Sequence, residues 1–338
     1  MTLQDTFEQS YRQRLLDLIY GQWATLGAPF AARPDSDDPS VIDPEALIWC
    51  SLEFLPTEPR LEETVAEWLI ENPHYLVRQR IIKAAKRGDP RSLLWQSLDR
   101  RNRDPESEIE LPTEPLHGLR APAEVVEFAR RIGERQLDDH HESRRLGRVH
   151  KGSATLLLQA RDLLGHDIRH FLLVYLLANP HGGKLRDVQG WSRHAYRSLS
   201  DAADRWKAAE IITIESGYCR LVAAEPFQQL LRVRSLKIAL VNWWTVFETS
   251  IRLLRDLAKA RSKGFVAKDH IINSLKREAA EKLNAAYSDH DAMKSSSVRR
   301  LLACFAAEGQ AVSGVASAAV KIGKAASGSR QIQLPRAE

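Results

Sequence analysis

The sequence predicts a mainly α-helical protein with a small β-hairpin in its middle third. Three observations lead there. Apolar residues recur at helical spacing through most of the chain. Prolines open many of these apolar stripes and a glycine closes one of them, positions that helix ends tolerate. Residues 211–222 instead join two short β-rich runs through a two-residue turn. At 338 residues, 43% apolar and 28% charged, the chain can bury a sizeable core and divide into two or three domains.

The first helical domain is expected over residues 1–99. Pro44 opens EALIWCSLEFL and Pro59 opens RLEETVAEWLIEN; HYLVRQRIIKAAKRG ends on Gly88, and Pro90 starts RSLLWQSLDRR. Trp49, Trp68 and Trp95 fall on apolar stripes and read as core. The polar, proline-containing run RRNRDPESEIELPTEP marks a linker over 100–115. LPTEP occurs at 55–59 and again at 111–115, but without matching flanks, so no repeat architecture is indicated.

Residues 116–225 hold a helical lead-in and then a closely spaced series. DIRHFLLVYLLA, 167–178, is a helix stopped at Asn179 and Pro180; HGG turns the chain; a second helix is expected over 184–190. Ser192 is expected to cap a third helix, RHAYRSLSDAADRWKAA. That helix would bury Ala195, Leu199, Ala202 and Trp206 and leave Arg193, His194, Tyr196, Arg197 and Ser200 on its surface. The runs 211–215 and 218–222 around Ser216 and Gly217 complete a hairpin.

Residues 167–222 resemble the winged helix-turn-helix domains of bacterial transcription regulators. The resemblance implies a central winged helix of three helices plus a β-hairpin that binds double-stranded DNA to regulate transcription. The second helix would cross the backbone, bringing Lys184 near phosphate. The third would lie in the major groove with Arg193, His194, Tyr196, Arg197 and Ser200 at bases or phosphates, and Ser192 at a phosphate. Glu210 stands where such domains often have a glycine, and the hairpin tip at 215–217 is short and acidic, so the hairpin is not expected to read the minor groove. The same fold also mediates protein contacts, which leaves an assembly module as the alternative.

A helical C-terminal domain is expected over 226–323, with a flexible tail at 324–338. Val233, Leu240, Phe247 and Leu254 recur every seven residues on a wide apolar face, which suits packing within the chain or a homodimer that presents two recognition helices. Lys268, Lys276, Arg277 and Lys282 are expected on a solvated face. Charge is unevenly spread: residues 1–115 carry −8, 116–225 carry +3 and 226–338 carry +10. A basic second half attracts phosphate backbones.

Three distant cysteines encode neither a disulfide framework nor a thiolate metal site, and with no apolar leader or membrane-length run a cytoplasmic location is expected. Asp162, His166 and His170 have metal-ligand spacing and DDHHE, 138–142, offers further ligands, but both read as polar surface. No phosphate-binding glycine loop, H-E-x-x-H or G-x-S-x-G occurs. No catalytic residue, metal or cofactor is expected.

Overall fold

The computed structural model describes residues 3–28, 38–54, 57–72, 75–77, 80, 152–165, 167–233, 237–262, 268–285 and 295–306. The expected linker at 100–115, the lead-in up to 151, Trp95, the run 138–142 and the tail at 324–338 lie outside these residues. The described chain is mostly helical with a small three-stranded antiparallel sheet. Its elements are α1 (Leu3–Thr25), α2 (Pro44–Ser51), α3 (Pro59–Glu71), α4 (Leu156–Leu164), α5 (Arg169–Ala178), β1 (Gly183–Lys184), α6 (Leu185–Ser192), α7 (Tyr196–Ala208), β2 (Ile212–Glu215), β3 (Tyr218–Leu221), α8 (Glu225–Leu230), α9 (Trp243–Ser262), α10 (Lys268–Ala285) and α11 (Ser296–Ala306). None of the described helices is long and apolar enough to cross a membrane.

Two apolar cores form. The first joins both ends of the chain: α1, α2 and α3 pack with α9, α10 and α11. In α1, Phe7, Tyr11, Leu15, Ile19 and Trp23 recur every fourth residue and are buried. Every residue of α2 is buried; Pro44 occupies its first turn, and Asp43 caps it by accepting from the Ala46 amide at 3.2 Å. Trp49 and Trp68 are buried core residues. The segments read as separate N- and C-terminal domains therefore share one core.

Much of the wide apolar face of the C-terminal region packs within the chain: Val233 and Phe247 are buried, and Leu240 and Leu254 are half-buried. A break divides it, with α8 ending at Leu230 and α9 starting at Trp243. Trp243, Trp244, Phe247 and Ile251 of α9 are buried in the core with α1, α2 and α10. Lys276 departs from its expected solvated position. Its side chain is buried, with Nζ 4.0 Å from the centroid of the Phe7 ring, whereas Arg277 and Lys282 are exposed.

The second core holds α4 to α7 and the sheet, and includes Val41, Leu231 and Val233. Phe171 to Leu177 of α5 are all buried, so this helix is apolar on every side. Strand order is β1-β3-β2, with Gly183 opposite Cys219 and Ile212 opposite Leu221. A Cβ on Gly183 would meet the outer end of the Tyr175 ring, so any larger residue there would have to displace that side chain of α5. The β2-β3 turn places Ser216 at φ 50° and Gly217 at φ 81°, the left-handed pair of a tight hairpin.

A buried ion network lies where the two cores meet. Arg80 donates to both oxygens of Asp43, at 3.1 and 2.6 Å, and to Glu45 at 2.6 Å. Arg161 of α4 donates to both oxygens of Glu45, at 2.8 and 2.9 Å, and to the Tyr75 carbonyl. The Val77 amide and Trp244 Nε1 donate to Glu45 and Asp43 respectively. His170 closes the set, and its tautomer follows from its neighbours. Arg161 Nε can only donate, so His170 Nε2 accepts at 3.2 Å and Nδ1–H donates to the Gly165 carbonyl. Burial, then Arg161 and Arg80, hold the imidazole far below its usual range. Burial alone would raise the Asp43 carboxyl, but Arg80 and then Arg161 hold it below the usual carboxylate range.

Two outcomes test this network. Glu45→Ala leaves two buried guanidinium groups short of a counter-charge, so unfolding stability should drop by about 3–5 kcal/mol in urea melts. Unfolded His170 takes up a proton below about pH 6.5 while the folded form stays neutral, so the stability it contributes is complete above that pH. Acidification from pH 6 to 4 should remove about 1.4 kcal/mol per pH unit, and His170→Gln should flatten that slope in urea melts across the same window. Asp43, with its lowered carboxyl, adds a further loss only below about pH 4.

Candidate nucleic-acid interface

The sequence-predicted site residues lie around one turn, but not in the expected arrangement. Leu185, Val188, Trp191 and Ser192 form a single buried stripe, which carries α6 two residues past Gly190. Trp191 is pinned there, its ring 5.6 Å from Phe171 and its Nε1 donating to the Val241 carbonyl at 3.2 Å. Ser192 is consequently the last residue of α6 and fully buried, with its Oγ accepting from the His194 amide at 3.4 Å. It does not cap α7. Ala195 holds that position, with no side-chain cap, and is exposed rather than buried as expected.

Arg193 is likewise not on the helix. It ends α6 at φ 56°, and its amide donates to the Gln189 carbonyl at 2.8 Å. Its Nη1 and Nη2 each lie 2.7 Å from a Glu248 oxygen on α9, and its guanidinium sits 5.4 Å from the Trp244 ring centroid. His194 is half-buried, its ring 4.9 Å from Phe171. The expected pair of arginines one helical turn apart is therefore absent, and Arg197 stands on α7 without Arg193.

What α7 does present begins at Tyr196. Leu199, Ala202 and Trp206 are buried as expected for the third helix, and Ala203 is buried with them. Tyr196, Arg197, Ser198, Asp201, Asp204, Arg205 and Lys207 are exposed, and Ser200 is half-buried. Arg197 makes no ion pair among the described residues. Beside α7, the outer face of the sheet carries Thr213, Glu215, Tyr218 and Arg220. Lys184 is paired with Tyr218 across the strands, and its Nζ lies 5.2 Å from the Tyr218 ring. Chemically this is an aromatic and basic surface interrupted by carboxylates.

Glu210, two residues past α7, has φ 56°, the conformation that favours glycine. Its carboxylate is exposed and engages no described cation.

Two of the residues considered as metal ligands, Asp162 and His170, are otherwise occupied. Asp162 accepts from the Tyr75 hydroxyl at 3.0 Å, His170 belongs to the buried network, and His166 lies outside the described residues. Among the described residues no group of three or more His, Cys, Asp or Glu could hold a metal. Comparison of the chain with protein-family models, curated proteins and solved structures finds no match.

The left-handed backbone at Glu210 yields a direct expectation. A glycine there relieves roughly 1–2 kcal/mol of steric cost against about 0.5–1 kcal/mol of added chain entropy. Glu210→Gly should raise unfolding stability by about 0.5–1 kcal/mol in denaturant melts.

Proposed function

We propose that residues 167–222 are a winged helix that binds duplex DNA, with α7 in the major groove and the protein acting as a regulator of transcription. One observation carries the reading. In the order helix, strand, helix, helix, hairpin, α7 buries Leu199, Ala202, Ala203 and Trp206 while Tyr196 and Arg197 stand in solvent at its first turn. A helix held by one face, with its opposite N-terminal surface uncovered, has the form that enters a major groove. Arg197 is the contact of choice for a guanine edge or a phosphate, with Tyr196 and Ser200 beside it and Lys184 at the flanking backbone.

Asp201 and Asp204, on the exposed side of the same helix, favour a second reading, an assembly module whose α7 meets a basic surface of another protein. The two readings respond oppositely to charge. Under the first, a carboxylate near phosphate weakens binding; under the second it makes the contact.

Fluorescence anisotropy of labelled duplex against the full chain, at several salt concentrations, separates them. Duplex binding should weaken steeply with salt. Arg197→Ala should cost about 1–3 kcal/mol if it meets a base, or lower the salt slope by about one if it meets a phosphate. Absent or salt-independent binding would sink the DNA reading.

A further inference from the structure

We propose that Arg193 acts within the chain as a strut between the α6–α7 turn and α9, which makes Glu248 a positioning residue for duplex binding. This inference rests on the duplex-binding reading of α7. Three residues at the turn, Gly190, Trp191 and Arg193, bond to α9 or to the residues just before it. The Gly190 carbonyl accepts from Asn242 Nδ2 at 2.9 Å, Trp191 Nε1 donates to the Val241 carbonyl, and Arg193 meets Glu248 through two bonds of 2.7 Å each. Asn242 uses its other side-chain atom to cap α9, with Oδ1 accepting from the Thr245 amide at 3.2 Å. One side chain thus fixes the start of α9 and the end of α6 together.

The turn needs this hold for two reasons. Arg193 has a left-handed backbone, and a non-glycine residue keeps that conformation only where its surroundings over-determine it. The first turn of α7 also has no capping side chain, because Ala195 precedes it. The direction in which Tyr196 and Arg197 leave the turn is therefore set by what grips Arg193, and the grip is Glu248 on one side and the Trp244 ring on the other. A planar guanidinium matched to both carboxylate oxygens fixes orientation as well as distance.

The sign of the Glu248→Gln effect tests the idea. If Glu248 were a bystander near DNA, removing its negative charge would tighten duplex binding. As the strut's anchor, its loss loosens α7, so Glu248→Gln and Arg193→Gln should each weaken binding about two- to fivefold with the salt slope unchanged. Arg193→Glu combined with Glu248→Arg should recover most of the affinity. A Glu248→Gln protein that binds as tightly as the parent, or tighter, would overturn the proposal. So would an Arg193→Gln protein whose salt slope falls by about one, since Arg193 would then be meeting a phosphate. If the parent chain binds no duplex at all, the proposed function fails and amide hydrogen exchange on the full chain judges the strut instead. Exchange at the Arg193 and Leu199 amides should be faster in Glu248→Gln than in the parent, and unchanged exchange there would overturn it.

Discussion

Two arginines and two carboxylates leave water together at the junction of the two cores, and much of the architecture is arranged so that none of them does so alone. Glu45 is fully buried and accepts from Arg80, Arg161 and the Val77 amide. A carboxylate in such a place is stable only if every partner arrives with it, because the desolvation penalty of a single buried ion exceeds what one imperfect contact returns. The members of the network come from separate stretches of chain: residues 43 and 45, residues 75, 77 and 80, α4, α5 and α9. Formal charges balance, two positive against two negative, with His170 neutral. Replacing a buried ion network by apolar packing of equal volume is often neutral or stabilising, whereas removing one member alone leaves an uncompensated buried charge.

From this junction two aromatic rings lead toward α7. Phe171 has the guanidinium of Arg80 4.4 Å from its centroid and that of Arg161 at 5.6 Å, while Trp191 and His194 pack on the same ring. Trp244 donates to Asp43, lies 5.8 Å from Arg80, and has Arg193 5.4 Å from its ring centroid. The turn that precedes α7 is thus in contact with the two rings that border the buried charges. A close-packed interior transmits displacement rather than absorbing it, so the pose of α7 depends on elements from both ends of the chain.

What was legible in the sequence was what short-range pattern encodes. Pro44 and Pro59 marked helix starts, the stripe at Leu199, Ala202 and Trp206 marked the buried face of α7, and the residues around Ser216 and Gly217 marked the hairpin. The start of α7 was misread because Ser192 looks like a cap, whereas the stripe Leu185, Val188, Trp191 already carried α6 beyond Gly190. Arg193 next to a helix reads as a surface cation until its partner 55 residues away is known. The ion network was illegible for the same reason at greater range: Arg161 and Glu45 are 116 residues apart, and Asp43 and Glu45 look like ordinary charges at the first turn of a helix. The shared core of the two chain ends was equally hidden, since apolar periodicity says that a face is covered and not by what.

The internal use of Arg193 bears on how α7 would find a polyanion. Residues 182–222 hold seven Lys and Arg against five Asp and Glu, and the Glu248 contact removes one of the seven from the outward field. A surface so close to neutral steers little at a distance, where only net charge is felt through screening solvent. Several cations of the basic C-terminal region are also paired, Arg255 with Glu53 and Lys282 with Glu278, and Lys276 is buried against Phe7. Under the duplex-binding proposal, recognition by α7 would then depend on short-range geometry: where Arg197 and Tyr196 point once contact is made. On that proposal the rigidity of the turn behind them would matter more than the addition of one more exposed cation, and the Arg193–Glu248 pair is the contact proposed to supply it.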